Sequence, residues 1–543
     1  KISVTFSEAI APASLIENTN QTCWPKNGDN KPIAMGTDGA DCLKDEDNKP
    51  VEYFGDCVLG DNFSWENSCD HLRIEAVSIY NSTSTKYAGL NPDKDFVKAA
   101  VMAVYEKDQA SVGEYNAFTF VFKPFNPQYL GSGEENAQYT VRLTYKINKK
   151  EKVNDEFVSI FDRQYKDYYF WEFETGTDLD LTPPYVKSAR PRENSVVKKN
   201  NIVQVYFSEP MDPTVAAGYL SYDSLTHLFF DSMVTGTWKL SNGYQVAEFV
   251  SDLECGVNSC GEKMYCLPVA CADPADKECK QIYEAMARAG QLLNTDGLSF
   301  EAVPFSGLMD MAGNALDGNK NEAAEPRPNS ALSFAEQKQP DNYFWFFTVQ
   351  NKIDREAPFV EWSTPGIDNE EVKGKDSLKM RISKVMWLAT LYSPEVFLEE
   401  YPLAMDVTTT VKDVLGFYPV SDLKIIAGAD DRTELQLKTT REFGPYNLDL
   451  YYFPQVKSSV KTETQNCLYP GRGPWGAKNT APVCVYKEDD QGNPIQDTGA
   501  NCVPVTMSSS ADTGCAAVFP SADTVLQPDV SKCLEKLIEF STR

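Results

Sequence analysis

Hydrophobic and polar positions alternate from the first residues of the chain. Ile2, Val4 and Phe6 are spaced by Ser3 and Thr5, the period-two pattern of a strand with one buried face. The string returns as Val203-Gln204-Val205-Tyr206-Phe207-Ser208-Glu209, and more loosely as Leu378-Lys379-Met380-Arg381-Ile382-Ser383-Lys384. Ser7, Ser208 and Ser383 therefore mark equivalent positions. An aromatic alternating strand also recurs, as Phe170-Trp171-Glu172-Phe173-Glu174-Thr175 and as Phe344-Trp345-Phe346-Phe347-Thr348-Val349. A polar spacer comes after each copy, then a proline that opens a new strand, at Pro184-Tyr185-Val186 and Pro358-Phe359-Val360. Trp171 lies 13 residues before Pro184 and Trp345 lies 13 before Pro358; the serines come 24 and 25 residues after those prolines. Landmarks at matched distances are the mark of a repeated unit.

A later landmark is alternation around a tyrosine, at Tyr139 to Leu143, Tyr265 to Val269 and Tyr446 to Leu450. The last residues, Ile538 to Thr542, resemble Trp171 to Thr175 and so read as the closing strand of a third unit. A helix there, with Leu534, Leu537 and Ile538 on one face, is the competing reading. Consecutive serines lie 201 and 175 residues apart, whereas a sheet-on-sheet domain needs only about 100 residues. The surplus is expected in long insertions. One helix is expected, from Cys279 to Leu293, with Ile282, Met286, Ala289 and Leu293 on one face.

The proline opener, the run Phe207-Ser208-Glu209-Pro210-Met211-Asp212-Pro213, the segment Asp310-Met311-Ala312-Gly313-Asn314-Ala315-Leu316 and the aromatic closing strand together resemble the bacterial Ig-like domains of S-layer proteins and large adhesins. The likeness is closest in the second unit and loosest in the third, where Lys384 replaces the usual acidic residue. It implies an all-β fold of three tandem Ig-like β-sandwich domains, with long disulfide-stapled insertions and one short helix, on an extracellular chain. The expected domains are 1–180, 181–354 and 355–543. The first starts at its Phe-Ser-Glu strand, without the roughly 20 residues that precede this strand in the other two. A sandwich without its first strand exposes an edge. Either the chain is cropped there, or another subunit supplies the strand by donor-strand completion, a route by which extracellular subunits polymerise.

Composition narrows the class. At 543 residues the chain is long enough for three or four domains, and 42% hydrophobic content supports packed cores. A net charge of −28 excludes binding to a nucleic-acid backbone, which requires a positive field. No apolar run reaches the roughly 18 residues of a membrane span. The fourteen cysteines fall in three groups: Cys23, Cys42, Cys57 and Cys69; Cys255, Cys260, Cys266, Cys271 and Cys279; and Cys467, Cys484, Cys502, Cys515 and Cys533. Such groups in Gly/Asn/Asp-rich insertions read as disulfides formed in an oxidising compartment. Zinc at Cys255, Cys260, Cys266 and Cys271 is the rival, against which their wide spacing counts. Two groups hold an odd number, which implies a bridge between domains or subunits, or free thiols.

Candidate chemistry is sparse. The two histidines, His71 and His227, fall in different units, so no Ser-His-Asp or Cys-His site assembles within one domain, and an enzyme is not expected. Acidic and amide side chains in the linkers and turns offer oxygen ligands for calcium: Asp178 and Asp180, then Asp354 and Glu356, then Asp310, Asn314 and Asp317. The alternative is that these side chains bond their own turns. Asn20, Asn62 and Asn81 fit the N-glycosylation pattern. The expected function is mechanical: an extracellular subunit of a surface layer or filament, self-associating into a polymer. The alternatives are an adhesin, with Trp475 beside the Gly471-Arg472-Gly473-Pro474 turn as a stacking platform, and an accessory module of a secreted enzyme.

Overall fold

The computed structural model describes residues 1–468 except 27–31, 37–38, 59–63, 84–89, 108–114, 127–129, 154–155, 162–166, 217–227, 231–233, 259–261, 293–304, 323–340, 365–377, 392–394, 403–415, 419, 428–430, 440–449 and 457–458; beyond 468 it describes 487–488, 494–495 and 541–542. The fold is all-β. The α-helices among the described residues are single turns, such as Trp65–Ser68 and Pro213–Ala216. The chain forms two compact units. Unit 1 gathers Lys1–Val186, Phe207–Phe229 and Met286–Tyr343; unit 2 gathers Lys187–Tyr206, Phe230–Ala285 and Phe344–Arg543.

Unit 1 is built on a seven-stranded sheet in the order Glu156–Ser159, Asn148–Val153, Ile2–Ile10, Tyr115–Asn126, Lys98–Lys107, His71–Leu72, Ile16–Glu17. A three-stranded sheet, Tyr168–Thr175, Ala137–Thr144, Val77–Asn81, faces it. Val101, Phe120 and Phe122 from the first share one core with Ile79, Val141 and Leu143 from the second. Alternation sends Met102 and Val121 to the other side of the larger sheet, where Met309 buries them. The turn around Met309 thus belongs to unit 1 through apolar contact. A buried ion pair ties in a second segment: the Lys1 ammonium binds the Asp212 carboxylate, which also accepts the Thr214 amide at 2.9 Å. Burial alone would raise the Asp212 carboxyl; the Lys1 charge and these hydrogen bonds outweigh it and hold it below the usual range.

The sheets of residues 186–350 and 360–542 share a strand order. The serine-motif strand lies between the strand that opens after the proline and a hairpin. In the first set this gives Val186–Arg190, Val203–Phe207, Val246–Ser251, Gly236–Ser241; in the other, Val360–Thr364, Leu378–Ile382, Thr433–Thr439, Val420–Ala427. The opposing sheets contain Tyr343–Gln350 beside Lys280–Ala287, and Val396–Pro402, Leu450–Val456, Ser541–Thr542 in that order. At the C-terminus, Ser541–Thr542 is a strand, paired antiparallel with Leu450–Tyr451. Ile538 to Phe540, Tyr446, His227, Trp475 and the turn 471–474 lie outside the described residues.

The helix expected from Cys279 to Leu293 is a strand, Lys280–Ala287. Its Ala, Met and Glu residues favour a helix in isolation, but burial alternates from Ile282 to Ala285, and Met286 and Ala287 are then both buried. Tyr283, Ala285 and Ala287 turn inward, Tyr283 stacks on Phe347 at 5.9 Å, and Ile282 is 69% exposed. Tertiary packing overrides propensity, as it does for many strands. This strand is also the true counterpart of Ala137–Thr144, since each flanks an aromatic closing strand. Tyr265, the expected landmark, lies instead in a small hairpin of Glu254–Val257 and Lys263–Tyr265.

Four disulfides join cysteines that are both among the described residues: Cys23–Cys42, Cys57–Cys69, Cys255–Cys266 and Cys271–Cys279. Closing loops of this size stabilises by about 2–4 kcal/mol each. Cys467 is disulfide-bonded as well. With three of its four thiols in bridges, the zinc alternative has no ligand set. Cys260, Cys484, Cys502, Cys515 and Cys533 lie outside the described residues.

The strand assignment of 280–287 has a direct test. Tyr283→Ala is expected to cost about 3–5 kcal/mol, and Ile282→Thr less than about 0.5 kcal/mol, in urea unfolding. A helix with Ile282 inward would reverse that order.

Candidate functional site

The most instructive sites are two turns built alike. In unit 1 the Tyr185 amide donates to Ser208 Oγ at 2.9 Å and the Ser208 amide returns to the Tyr185 carbonyl at 2.9 Å. In unit 2 the Phe359 amide donates to Ser383 Oγ at 3.1 Å and the Ser383 amide to the Phe359 carbonyl at 2.9 Å. The preceding linkers match too. Asp180 Oδ1 accepts the amide of Thr182 at 3.1 Å, and Asp354 Oδ1 accepts that of Glu356 at 2.8 Å. Each is a side-chain-closed turn that fixes where the carboxylate sits.

The two turns differ in the residue next after the serine. In unit 2 it is Lys384, whose ammonium lies 3.0 Å from Asp354 and 3.3 Å from Glu356. In unit 1 it is Glu209, and carboxylate oxygens of Asp180, Glu209 and Asp310 lie within 4.8 Å of one another. Asp310 is buried; its Oδ1 accepts the amides of Gly313 at 2.6 Å and Asn314 at 2.8 Å. The Asn314 amide nitrogen braces the group, donating to Asp310 Oδ2 at 2.8 Å and to the Asp180 carbonyl at 3.1 Å. Burial raises the Asp310 carboxyl against the pull of these hydrogen bonds, and the nearby Asp180 charge adds to the rise.

The structure therefore brings together Asp180, Asp310 and Asn314 from the expected calcium ligands and adds Glu209. Asp178 is exposed in the linker. Asp317 is buried and bonded to its own turn, accepting the amides of Lys320 at 2.6 Å, Asn321 at 3.3 Å and Glu322 at 2.8 Å. Asp354 and Glu356 meet a lysine. Beside Lys384 lies a polar cavity of about 370 Å³, lined by Asp354, Ser383, Asp431, Arg432, Thr462 and Glu463 among others. Arg190 spans Asp431 at 3.0 Å and Glu463 at 3.8 Å. Burial pushes the Glu463 carboxyl up to about 7 despite that guanidinium.

A second carboxylate pair in unit 1 had no motif to announce it. The Cys57–Cys69 bridge carries Asp56 and Asp70 on its two flanks, and the Asp70 amide donates to the Asp56 carbonyl at 3.1 Å. Asp70 accepts the amides of Thr19 at 2.9 Å and Gly55 at 2.7 Å. Gly55 has φ +85°, and an added Cβ would meet the Ala103 backbone at 2.7 Å, so the chain passes close here because nothing larger fits. Asp56 accepts the Thr22 hydroxyl at 2.7 Å and the Asn20 amide nitrogen at 3.2 Å. That nitrogen is the atom a glycan would need, so Asn20 is turned inward. Asn81 is exposed, and Asn62 lies outside the described residues. His71 packs on Phe125, its Nε2 2.6 Å from the Glu66 carbonyl.

Burial pushes the Asp56 carboxyl up to about 6 and Asp70 up to about 7, the latter helped by the Asp56 charge; hydrogen bonds from Thr22, Asn20, Gly55 and Thr19 limit both shifts. Burial, and then the charges of these two acids, also raise the Tyr105 phenol.

No protein-family model matches the chain, and no curated protein matches it. Among solved structures, the Escherichia coli adhesin FdeC aligns over 76% of this chain and 86% of its own, at 8% identity and a TM-score of 0.12. An overlap at that score carries no structural argument.

The acid pair sets a pH dependence. Both folded values lie above the unfolded value of 3.8, so the folded state holds protons that the unfolded state has released. The associated stability is full below about pH 4 and is lost as pH rises through about 6 to 7. Asp56→Asn is expected to flatten the fall in urea midpoint across that window relative to the parent protein. An unchanged slope contradicts the assignment.

Proposed function

We propose that this chain is an extracellular structural subunit built from three tandem Ig-like domains, 1–180, 181–354 and 355–543, which self-associates through its first domain. The carrying observation is a sheet edge that exposes aromatic side chains. The aromatic strand Tyr343–Gln350 is flanked on its outer side by Val196–Lys198, paired in parallel. Its counterpart Tyr168–Thr175 pairs with Ala137–Thr144 alone among the described residues. Tyr168, Tyr169 and Phe170 on that edge are 40%, 47% and 52% exposed. A sheet edge that exposes aromatics is a template for another strand.

Two further features support a mechanical role outside the cell. The disulfides suit an oxidising compartment. In unit 2, the sheets of 186–350 and 360–542 are joined by a buried polar clamp. Glu248 accepts Gln204 Nε2 at 2.6 Å and the amides of Leu388 and Ala389 at 2.7 Å each. Asn200 donates to the carbonyls of Asp354 at 2.8 Å and Thr464 at 2.6 Å. A joint of this kind transmits force without bending at a loose linker.

Size-exclusion chromatography with light scattering, and then electron microscopy, tests the reading. The chain is expected to form polymers or discrete oligomers, and Tyr169→Lys with Phe170→Lys to give monomers of unchanged fold. A parent chain that remains monomeric at about 100 µM, roughly tenfold above the working range of micromolar contacts, overturns it.

A further inference from the structure

The polar cavity of about 370 Å³ in unit 2 holds more acids than its cations serve. Lys384 is taken by Asp354 at 3.0 Å and Glu356 at 3.3 Å. Arg190 and Arg192 converge on Asp431 Oδ1, at 3.0 and 2.8 Å. Arg432 Nε donates to Glu361 at 2.9 Å. Each of these cations has a close carboxylate other than Glu463. Glu463 is left with Arg190 Nη1 at 3.8 Å, beyond hydrogen-bond reach. Its Oε2 is sealed from water and accepts no hydrogen bond, while 21% of the side chain stays open. A carboxylate oxygen so placed is costly. That deficit is why burial raises this carboxyl in spite of Arg190.

We propose that the cavity binds one organic cation carrying N–H donors, a guanidinium or primary ammonium group, with Glu463 as its counter-ion. The walls set Asp354, Asp431 and Glu463 against Lys384 and Arg432, an excess of one negative charge. An anionic ligand would add to that excess, and a neutral one would leave it unmet. A divalent metal takes several carboxylates at once, and here Asp354 and Asp431 are already engaged. A quaternary ammonium is recognised by aromatic faces, and the described lining residues include no aromatic ring. Donors on the ligand would instead meet Glu463 and the hydroxyls of Thr462 and Thr464, which lie on the same wall. The volume admits such a group together with the stem that carries it. The cavity belongs to unit 2 and the strand Tyr168–Thr175 to unit 1, so this binding does not depend on the assembly proposed above.

Saturation-transfer NMR on the full chain tests this, with methylguanidinium chloride as the probe. A saturable signal with Kd on the order of 1–10 mM is expected, within the ceiling for a ligand of so few atoms. N-methylurea has the same shape without the charge, and tetramethylammonium has the charge without N–H donors. Each is expected to bind at least about tenfold more weakly. Glu463→Gln is expected to lose the saturable signal and, because it removes an unmet buried charge, to melt no lower than the parent. The tripeptide acetyl-Gly-Arg-Gly-amide separates two sources of the same group. Binding about tenfold tighter than methylguanidinium assigns the cavity to a basic side chain of a partner, and equal binding assigns it to a free small cation. No saturable methylguanidinium signal at about 50 mM, above the stated range, overturns the proposal. Equal binding of N-methylurea to the parent also overturns it, a comparison that needs no variant to fold. So does binding that is unchanged in folded Glu463→Gln.

Discussion

The carboxylate of Glu248 is fully enclosed, and its surroundings explain why unit 2 holds together as one body. A charged group removed from water must be met on every side, or it destabilises the fold by several kcal/mol. Here the partners come from both sheet sets: Gln204 from one, and the amides that open the short 3₁₀ turn Leu388–Thr390 from the other. Gln204 in turn donates to the Met386 carbonyl at 3.1 Å. Burial raises the Glu248 carboxyl, and the hydrogen bonds work against that rise. The apolar cluster around it, with Val246 beside Leu388 and Leu391, supplies the attraction. The polar contacts supply the fixed angle, because none of them survives a slide of one sheet set past the other.

Strands whose pattern is strictly alternating were legible from the chain itself. Val203–Phe207 and Leu378–Ile382 lie where their period places them, and so do the aromatic strands ending at Thr175 and Gln350. The misreading at 280–287 has a physical cause. Its buried residues include Met286 as well as Tyr283, Ala285 and Ala287, so apolarity alone could not separate period two from period 3.6, and helix propensity pointed the other way. The division into two compact units was also invisible, because it rests on Met309 and Asp212 reaching distant parts of the chain. Nothing in either residue's local sequence announces that contact.

The candidate site was half legible. Oxygen-rich turns stood out at Asp180, Asp310 and Asn314, since such residues are scarce inside strands. Glu209 stood out only as part of a motif, because its partners approach through the reciprocal Ser208 and Tyr185 bonds and not through sequence. Asp317, just as acidic, bonds its own turn amides; sequence cannot separate an aspartate that faces its backbone from one that faces a neighbour. The Asp56 and Asp70 pair was beyond reach for a different reason. It exists because a disulfide draws Gly55-Asp56-Cys57 against Cys69-Asp70, and connectivity cannot be deduced from spacing.

The turn after Ser208 and Ser383 tolerates either sign of charge without altering its backbone bonds. Glutamate and lysine codons differ by a single first-position base, so this slot can change its counter-ion in one mutational step.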